Sequence, residues 1–73
     1  MRKLPVVSGR ETVRAFRRAG WTLVRWEGSH IILTKSGEEA TLSVPDHKEL
    51  GKGLLRALIR DARLTVEEFA ELL

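Results

Sequence analysis

The stretch WTLVRWEGSHIILTK, residues 21–35, decides how the rest of the chain is interpreted, because it has the pattern of a β-hairpin. Two segments rich in β-branched and aromatic residues are separated only by Gly28-Ser29. A two-residue loop with glycine at its first position is typical of a hairpin turn. A turn this tight pairs Glu27 with His30, Trp26 with Ile31, Arg25 with Ile32 and Val24 with Leu33.

This register predicts two different faces for the hairpin, because successive strand residues point to opposite sides. The predicted apolar face consists of Val24, Trp26, Ile31 and Leu33. The other face places His30 beside Arg25 and Glu27. We therefore expect His30 to lie near water, although a slip of one residue would exchange the two faces.

A helix is predicted before the hairpin. Ser8 and Glu11 have the spacing of a capping box, in which each side chain binds the other residue's backbone N–H. Helical spacing then puts apolar residues on one side, Val13, Phe16 and Ala19, and basic residues on the other, Arg10, Arg14, Arg17 and Arg18. Gly20 is a typical helix stop.

After the hairpin, ATLSV alternates as a third strand that Pro45 ends, and DHKELGKG is predicted to be a loop. LLRALIRDA returns to helical spacing, with an apolar face of Leu55, Leu58, Ile59 and Ala62. Thr65 and Glu68 form a second capping box, and Leu64 is placed to pack on Phe69, which predicts a short terminal helix. We expect an α+β fold with both apolar helix faces on one side of a three-stranded meander.

The predicted α-β-β-β-α order, with its short C-terminal helix, resembles the double-stranded-RNA-binding fold. That fold contacts RNA through its first helix, the loop between its first two strands and the start of its second helix. In this chain the three places hold the arginine face, EGSH and GKG. The candidate RNA-binding residues are Arg10, Arg14, Arg17, Gly28, Ser29 and Lys52.

Size, composition and charge agree with a small nucleic-acid-binding protein. The 73 residues are expected to form one domain, 1–73, near the lower size limit for a single core. Residues 1–26 carry seven basic residues and one acidic residue, whereas the remainder carries six basic and nine acidic. A basic front half favours a polyanion such as RNA as the binding partner.

No apolar run is long enough to span a bilayer and no secretory signal is recognisable, so we expect a cytoplasmic protein.

The histidines raise the question of catalysis. The chain has no cysteine and no carboxylate cluster with ligand spacing, so we expect neither a metal nor a cofactor. RNA carries its own nucleophile, the 2′-hydroxyl, and histidine accepts and donates protons near neutral pH. His30 is therefore a candidate base, but a structural strand histidine is an equally good interpretation. Three interpretations of His47 also stay open: a loop residue, a second acid or base, or a phosphate contact.

Three segments together resemble the HicA toxins of bacterial toxin–antitoxin pairs. They are VSGRETVRAFRRAGW, GSHIIL and TLSVPDHKELGKGLLRALIRDARLTVEEF, in this order, and from the first to the last they span about nine tenths of the chain. The resemblance implies an mRNA-cleaving endoribonuclease without a cofactor, whose catalytic residue is His30, preceded by the Gly28-Ser29 turn. It also implies a HicB-like antitoxin that joins the toxin in a hetero-oligomer and blocks its site.

The chain departs from the family pattern in two places. Family members commonly have glycine in the turn where this chain has Ala62-Arg63, and a small polar residue where Leu54 stands.

Two other functions compete with the toxin interpretation. A noncatalytic RNA-binding module would use the same arginines without needing His30, and a small scaffold for a protein partner would show no salt-dependent RNA affinity.

Overall fold

The computed structural model describes residues 3–73, so Arg2, which contributes to the basic front half, lies outside the described residues. The elements are α1 Gly9–Arg18, β1 Thr22–Glu27, β2 His30–Thr34, β3 Leu42–Pro45, α2 Lys52–Asp61 and α3 Val66–Glu71. The predicted order of helix, three strands, helix and short helix is confirmed. Helix α2 begins at Lys52, two residues before the apolar segment from which it was predicted. Within residues 3–73, no helix has the length and apolar character needed to cross a membrane.

Both predicted capping boxes are present. Before α1, the Ser8 hydroxyl accepts a hydrogen bond from the Glu11 N–H at 3.0 Å, and the Glu11 carboxylate accepts one from the Ser8 N–H at 2.9 Å. The bonds from Ser8 lower the pKa of Glu11. Thr65 and Glu68 make the same two bonds before α3, at 3.0 and 2.8 Å. Each box satisfies N–H groups that the first turn of a helix otherwise leaves unpaired.

The three strands form one antiparallel sheet in the order β1-β2-β3. Three of the predicted hairpin pairs are confirmed: Glu27 with His30, Trp26 with Ile31 and Arg25 with Ile32. The fourth prediction is wrong, because Leu33 pairs with Leu23 instead of Val24. An extra residue in β1 forms a β-bulge, which shifts the alternation of faces by one position. Leu23 consequently packs against the core, and Val24 is 45% exposed.

The core lies between the sheet and the two longer helices. Helices α1 and α2 pack on the sheet face that carries Ile31, Leu33, Leu42 and Val44, and the predicted apolar faces of both helices contribute to this core. Phe69 of α3 closes the core against Phe16, with ring centroids 5.4 Å apart. The other face of the sheet carries Ile32 and Ser43 and is directed away from the helices.

Helices α1 and α2 end in the same hydrogen-bonding pattern but with different residues. At the end of α1 the Trp21 N–H bonds the Phe16 carbonyl and Gly20 has a φ of +101°. At the end of α2 the Leu64 N–H bonds the Ile59 carbonyl, and the residue in the left-handed conformation is Arg63, with a φ of +61°. The family resemblance leads us to expect glycine in this turn, because glycine adopts the left-handed conformation without strain. In this chain Arg63 adopts that conformation instead.

Candidate functional site

Three backbone hydrogen bonds between different elements gather most of the predicted site residues at one end of the molecule. They run from the Asp46 N–H to the Ser29 carbonyl at 2.8 Å, from the Gly9 N–H to the His47 carbonyl at 2.8 Å, and from the Leu50 N–H to the Val7 carbonyl at 2.9 Å. Together they hold the start of α1, the hairpin turn and the loop between β3 and α2 side by side. We call residues 8–10, 26–30 and 45–52 the hairpin end.

Gly9 is required by this arrangement. A Cβ atom at Gly9 would lie 2.0 Å from the carbonyl oxygen of Pro45, a distance that two nonbonded atoms cannot occupy. The first turn of α1 therefore approaches the end of β3 backbone to backbone. The contact fixes where the arginine face of α1 begins relative to the end of the sheet.

His30 is the first residue of β2 and is exposed. It pairs with Glu27 across β1 and with Pro45 across β3. Its side chain lies on the sheet face directed away from the helices, because it shares the alternation of Ile32 and not that of the core residue Ile31. The His30 Nδ1 is 3.0 Å from the Ser43 hydroxyl oxygen. The prediction that His30 lies near water is confirmed.

Arg10 is held in place by Asp46 and Trp26. Its guanidinium donates two hydrogen bonds to the Asp46 carboxylate, at 3.1 and 3.2 Å, and lies 5.9 Å from the centroid of the Trp26 ring. The hydrogen bond between the two side chains raises the pKa of Arg10 and lowers the pKa of Asp46. Both groups therefore stay charged at neutral pH, and the Arg10 guanidinium still faces solvent.

The other predicted arginines line the outer side of α1. Arg10, Arg14, Arg17 and Arg18 surround a shallow groove of about 490 Å³ with Val13 at its base. Arg10 and Arg17 are seven residues apart, which at the rise of a helix is roughly 10 Å. Arg18 differs from its neighbours because it donates a 2.7 Å hydrogen bond to the Leu72 carbonyl and so anchors the segment after α3.

The remaining predicted RNA-binding positions also lie at the hairpin end. Gly28 has a φ of +60°, whereas Ser29 does not share this positive φ, so the turn has the type II′ pattern. Lys52 is exposed in the first turn of α2. The α2 N-cap is Gly51, which has no side chain to bind the free N–H groups of that turn. His47 is exposed and lines a cavity of about 350 Å³ with Ser8, Arg10, Asp46 and Lys48.

The site residues do not all face the same way. His30 lies on the outer face of the sheet, whereas Arg14 and Arg17 lie on the helix layer behind the other face. Arg10 connects the two, because its partner Asp46 is bonded through its backbone to Ser29, the neighbour of His30. A strand of RNA that touched both regions would have to pass around the hairpin end, from the groove of α1 toward the turn.

Sequence patterns miss the roles of three residues in this region. The alternation of β3 indicates only that Ser43 is a strand residue, yet it binds His30. Asp46 is predicted to be a loop residue, yet it orients Arg10. Trp26 is expected on the apolar face, and it does share that face with Ile31, but it is 47% exposed because it lies at the hairpin end beside Arg10. The alternation of β3 does predict that the Ser43 hydroxyl and Val44 lie on opposite faces, but it does not predict the contact with His30.

Known proteins with a similar sequence or fold come from toxin–antitoxin systems. A family model described as the HicA toxin of bacterial toxin–antitoxin systems matches residues 9–64. Among solved structures, a chain of a toxin–antitoxin complex from Streptococcus pneumoniae superposes with a TM-score of 0.71 and 32% sequence identity, over 80% of this chain and 98% of that chain. No match was found among proteins with curated descriptions.

Proposed function

Since the chain belongs to the HicA toxin family and has its double-stranded-RNA-binding-like fold, we propose that it is an endoribonuclease that cleaves messenger RNA by acid–base chemistry centred on His30. We also propose that residues 1–73 act as a single RNA-cleaving domain. The observation that carries the proposal is the exposed imidazole of His30 at the end of the sheet. The neighbouring Ser29 is bonded to Asp46, which binds Arg10 at the start of the arginine helix.

The proposed reaction uses the 2′-hydroxyl of RNA as the nucleophile. The His30 Nε2 accepts the 2′-hydroxyl proton as the 2′-oxygen bonds to phosphorus. The bond from phosphorus to the 5′-oxygen breaks, and that oxygen takes a proton from water. The hydroxide left behind takes the proton from the imidazolium, which regenerates the imidazole. The products are a 2′,3′-cyclic phosphate and a 5′-hydroxyl, so the reaction needs no protein nucleophile and no metal. A positioned acid or base of this kind contributes roughly 10²–10⁴-fold in rate.

RNA binding is assigned to the hairpin end and the adjacent arginine groove. Arg10, Arg14 and Arg17 present guanidinium groups along one side of α1, and Lys52 adds an ammonium in the first turn of α2. The backbone of Gly28 and Ser29 forms the turn directly before His30. Guanidinium and ammonium groups bind phosphate through charge-assisted hydrogen bonds, which positions the chain without reading its sequence.

We further propose that the partner is a HicB-like antitoxin that covers His30. The similar solved structure is a toxin–antitoxin complex, which supports a partner of this kind. Co-expression of the antitoxin should restore growth to cells that make the toxin, and the purified complex should leave RNA intact. A partner that bound the toxin but left cleavage unchanged would exclude inhibition by covering the site.

The proposed chemistry is tested by incubating the purified chain with an RNA oligonucleotide in the presence of EDTA. We expect cleavage to continue and the products to end in a 2′,3′-cyclic phosphate, or its opened form, and a 5′-hydroxyl. A matched oligonucleotide with a single 2′-deoxy substitution at the cut should remain whole. Loss of cleavage on adding EDTA would exclude the metal-independent reaction, and RNA binding without any cleavage would favour the noncatalytic module.

A further inference from the structure

A hydroxyl group lies beside His30 on the outer face of the sheet. Ser43 is exposed in β3 and pairs with Ile32 of β2. Because His30 and Ile32 are two residues apart on the same strand, the side chains of Ser43 and His30 point to the same side of the sheet. The Ser43 hydroxyl oxygen is 3.0 Å from the His30 Nδ1, which is hydrogen-bonding distance.

This contact is the one side-chain hydrogen bond that His30 makes with residues 3–73. In a neutral imidazole one nitrogen carries the proton and the other accepts, and the hydrogen bond made by one nitrogen determines the role of the other. A serine hydroxyl both donates and accepts. When the proton is on Nδ1 and Ser43 accepts the hydrogen bond, Nε2 keeps a free lone pair.

We propose that Ser43 is a positioning residue for the cleavage reaction. Its hydroxyl accepts a hydrogen bond from the His30 Nδ1–H and so holds the ring in the tautomer whose Nε2 takes the 2′-hydroxyl proton. This inference rests on the proposed function. The proton transferred in the reaction goes to Nε2, and the resulting imidazolium keeps its Nδ1–H bond to Ser43.

The surroundings explain why a hydroxyl performs this task and not a carboxylate. Glu27 is directly opposite His30 on β1, but its carboxylate accepts a 2.6 Å hydrogen bond from the Arg25 side chain. No side-chain hydrogen bond joins Glu27 to His30 in the part of the chain that the structure describes. Ser43 is therefore the group on this face that contacts the imidazole directly.

The position of Ser43 is set by regular strand pairing and not by a mobile loop. Strand β3 pairs with β2 on both sides of the contact, through Ile32 with Ser43 and through His30 with Pro45. The Asp46 N–H bond to the Ser29 carbonyl continues the pairing beyond the strand end. A group held in this way keeps its distance to the imidazole without first having to be ordered when RNA binds.

The first test compares single-turnover cleavage and RNA binding for Ser43→Ala and Ser43→Thr in the full chain. Ser43→Ala should slow cleavage by roughly 10- to 100-fold, by analogy with the loss when a group that orients a metal-bound histidine is removed, and should change RNA affinity by less than about twofold. Ser43→Thr keeps the hydroxyl and should restore most of the rate. Thr41→Ala is the matched control, because it removes an exposed hydroxyl two residues earlier and should leave the rate unchanged.

The second test uses no enzymatic activity. The ¹⁵N chemical shifts of the His30 ring, measured where the imidazole is neutral, report which nitrogen carries the proton. We expect the Nδ1–H tautomer in the original chain and in Ser43→Thr, and a shift toward the Nε2–H tautomer in Ser43→Ala. An Nε2–H tautomer in the original chain would overturn the inference.

The two proposals fail in different ways. If His30→Ala cleaved RNA at the original rate, the proposed function would be wrong. If His30→Ala lost cleavage but Ser43→Ala kept the original rate and tautomer, the proposed function would stand and the role of Ser43 would be wrong. A slow Ser43→Ala variant that Ser43→Thr rescues, together with the tautomer change, would support the inference.

Discussion

The two ends of this small molecule are held together by different kinds of contact. At the hairpin end, backbone hydrogen bonds join α1, the turn and the β3–α2 loop, so many of the side chains there stay at the surface. At the other end, which we call the far end and define as residues 19–22, 34–38 and 60–64, side chains hold the elements together. The Lys35 ammonium bonds the Ala19 carbonyl at 2.9 Å, and the Arg63 guanidinium bonds Glu38 at 2.8 Å.

The two tryptophans of the chain show the same difference although they are only five residues apart. Trp21, at the far end, is 2% exposed, whereas Trp26, at the hairpin end, is 47% exposed. The Trp21 indole N–H is also buried without a hydrogen-bond partner among the described residues. Of the two tryptophans, one is used for packing and the other is left accessible, so we expect their contributions to stability to differ.

The largest effect is expected from truncating the buried tryptophan. Trp21→Ala should lower the free energy of unfolding by roughly 3–5 kcal/mol, as for other large-to-small core substitutions. Trp26→Ala should lower it by less than about 1 kcal/mol, as most surface substitutions do. Urea denaturation of both variants measures the difference. Equal losses would mean that the hairpin end belongs to the core, and Trp21→Phe is the control that keeps most of the packing.

A second comparison separates the basic surface of α1 from that of α2 and the turn after it. Changing Arg10, Arg14 and Arg17 to glutamine should reduce the salt dependence of RNA binding by about 2 in the log–log slope, at roughly 0.7 for each phosphate that is no longer neutralised. Changing Arg56 and Arg60 of α2 and Arg63 of the turn after it to glutamine removes the same charge and should leave the slope nearly unchanged. Binding is measured across a salt series with a His30→Ala background to prevent cleavage. An unchanged slope for the α1 variant would place the RNA on another surface.

The backbone contact at the hairpin end is tested by a single methyl group. Gly9→Ala places a Cβ against the Pro45 carbonyl and should lower the free energy of unfolding by roughly 1–3 kcal/mol, as overpacking does. Gly53→Ala is the matched control, because a Cβ there meets no atom within 4 Å, and alanine in a helix should stabilise by about 0.5–1 kcal/mol. Thermal unfolding of the two variants should shift in opposite directions.

The smallest effect is expected where α1 and α2 end. Gly20→Ala forces alanine into the left-handed conformation and should destabilise the fold by about 1 kcal/mol. Arg63→Gly relieves the same strain at the end of α2. It also removes an exposed ion pair and increases the conformational freedom of the unfolded chain, so the net gain in the free energy of unfolding should stay below about 1 kcal/mol. If Arg63→Gly lowered the free energy of unfolding instead, the Arg63–Glu38 contact would outweigh the strain.

Features encoded within a few consecutive residues could be predicted from the sequence. The two capping boxes, the Gly28-Ser29 turn and the apolar helix faces each depend on local spacing, and all are present. The bulge at Val24 could not be predicted, because Leu23 and Val24 are both apolar and their pattern does not indicate which one faces the core. The left-handed Arg63 was signalled only by the family resemblance, since arginine has no local preference for that conformation.

The candidate site was predictable for residues that carry an obvious charge or proton-transfer group, such as His30 and Arg10. It was not predictable for Ser43 and Asp46, because their roles depend on which residues of β2 lie beside β3. The loop of residues 35–41 between these strands does not determine that register, whereas a two-residue turn determines the register of the hairpin. Contacts between distant segments therefore require the folded structure.

His30 carries the proposed chemistry at the hairpin end, and its exposed side chain contributes little to the stability of the fold. The most direct measurement is a paired assay of His30→Ala, in which unfolding, RNA affinity and single-turnover cleavage are recorded on the same preparation. We predict that the variant changes the free energy of unfolding by less than about 1 kcal/mol, keeps RNA affinity close to the original and loses cleavage by roughly 10²–10⁴-fold. A folded His30→Ala chain that cut RNA at the original rate would contradict this claim.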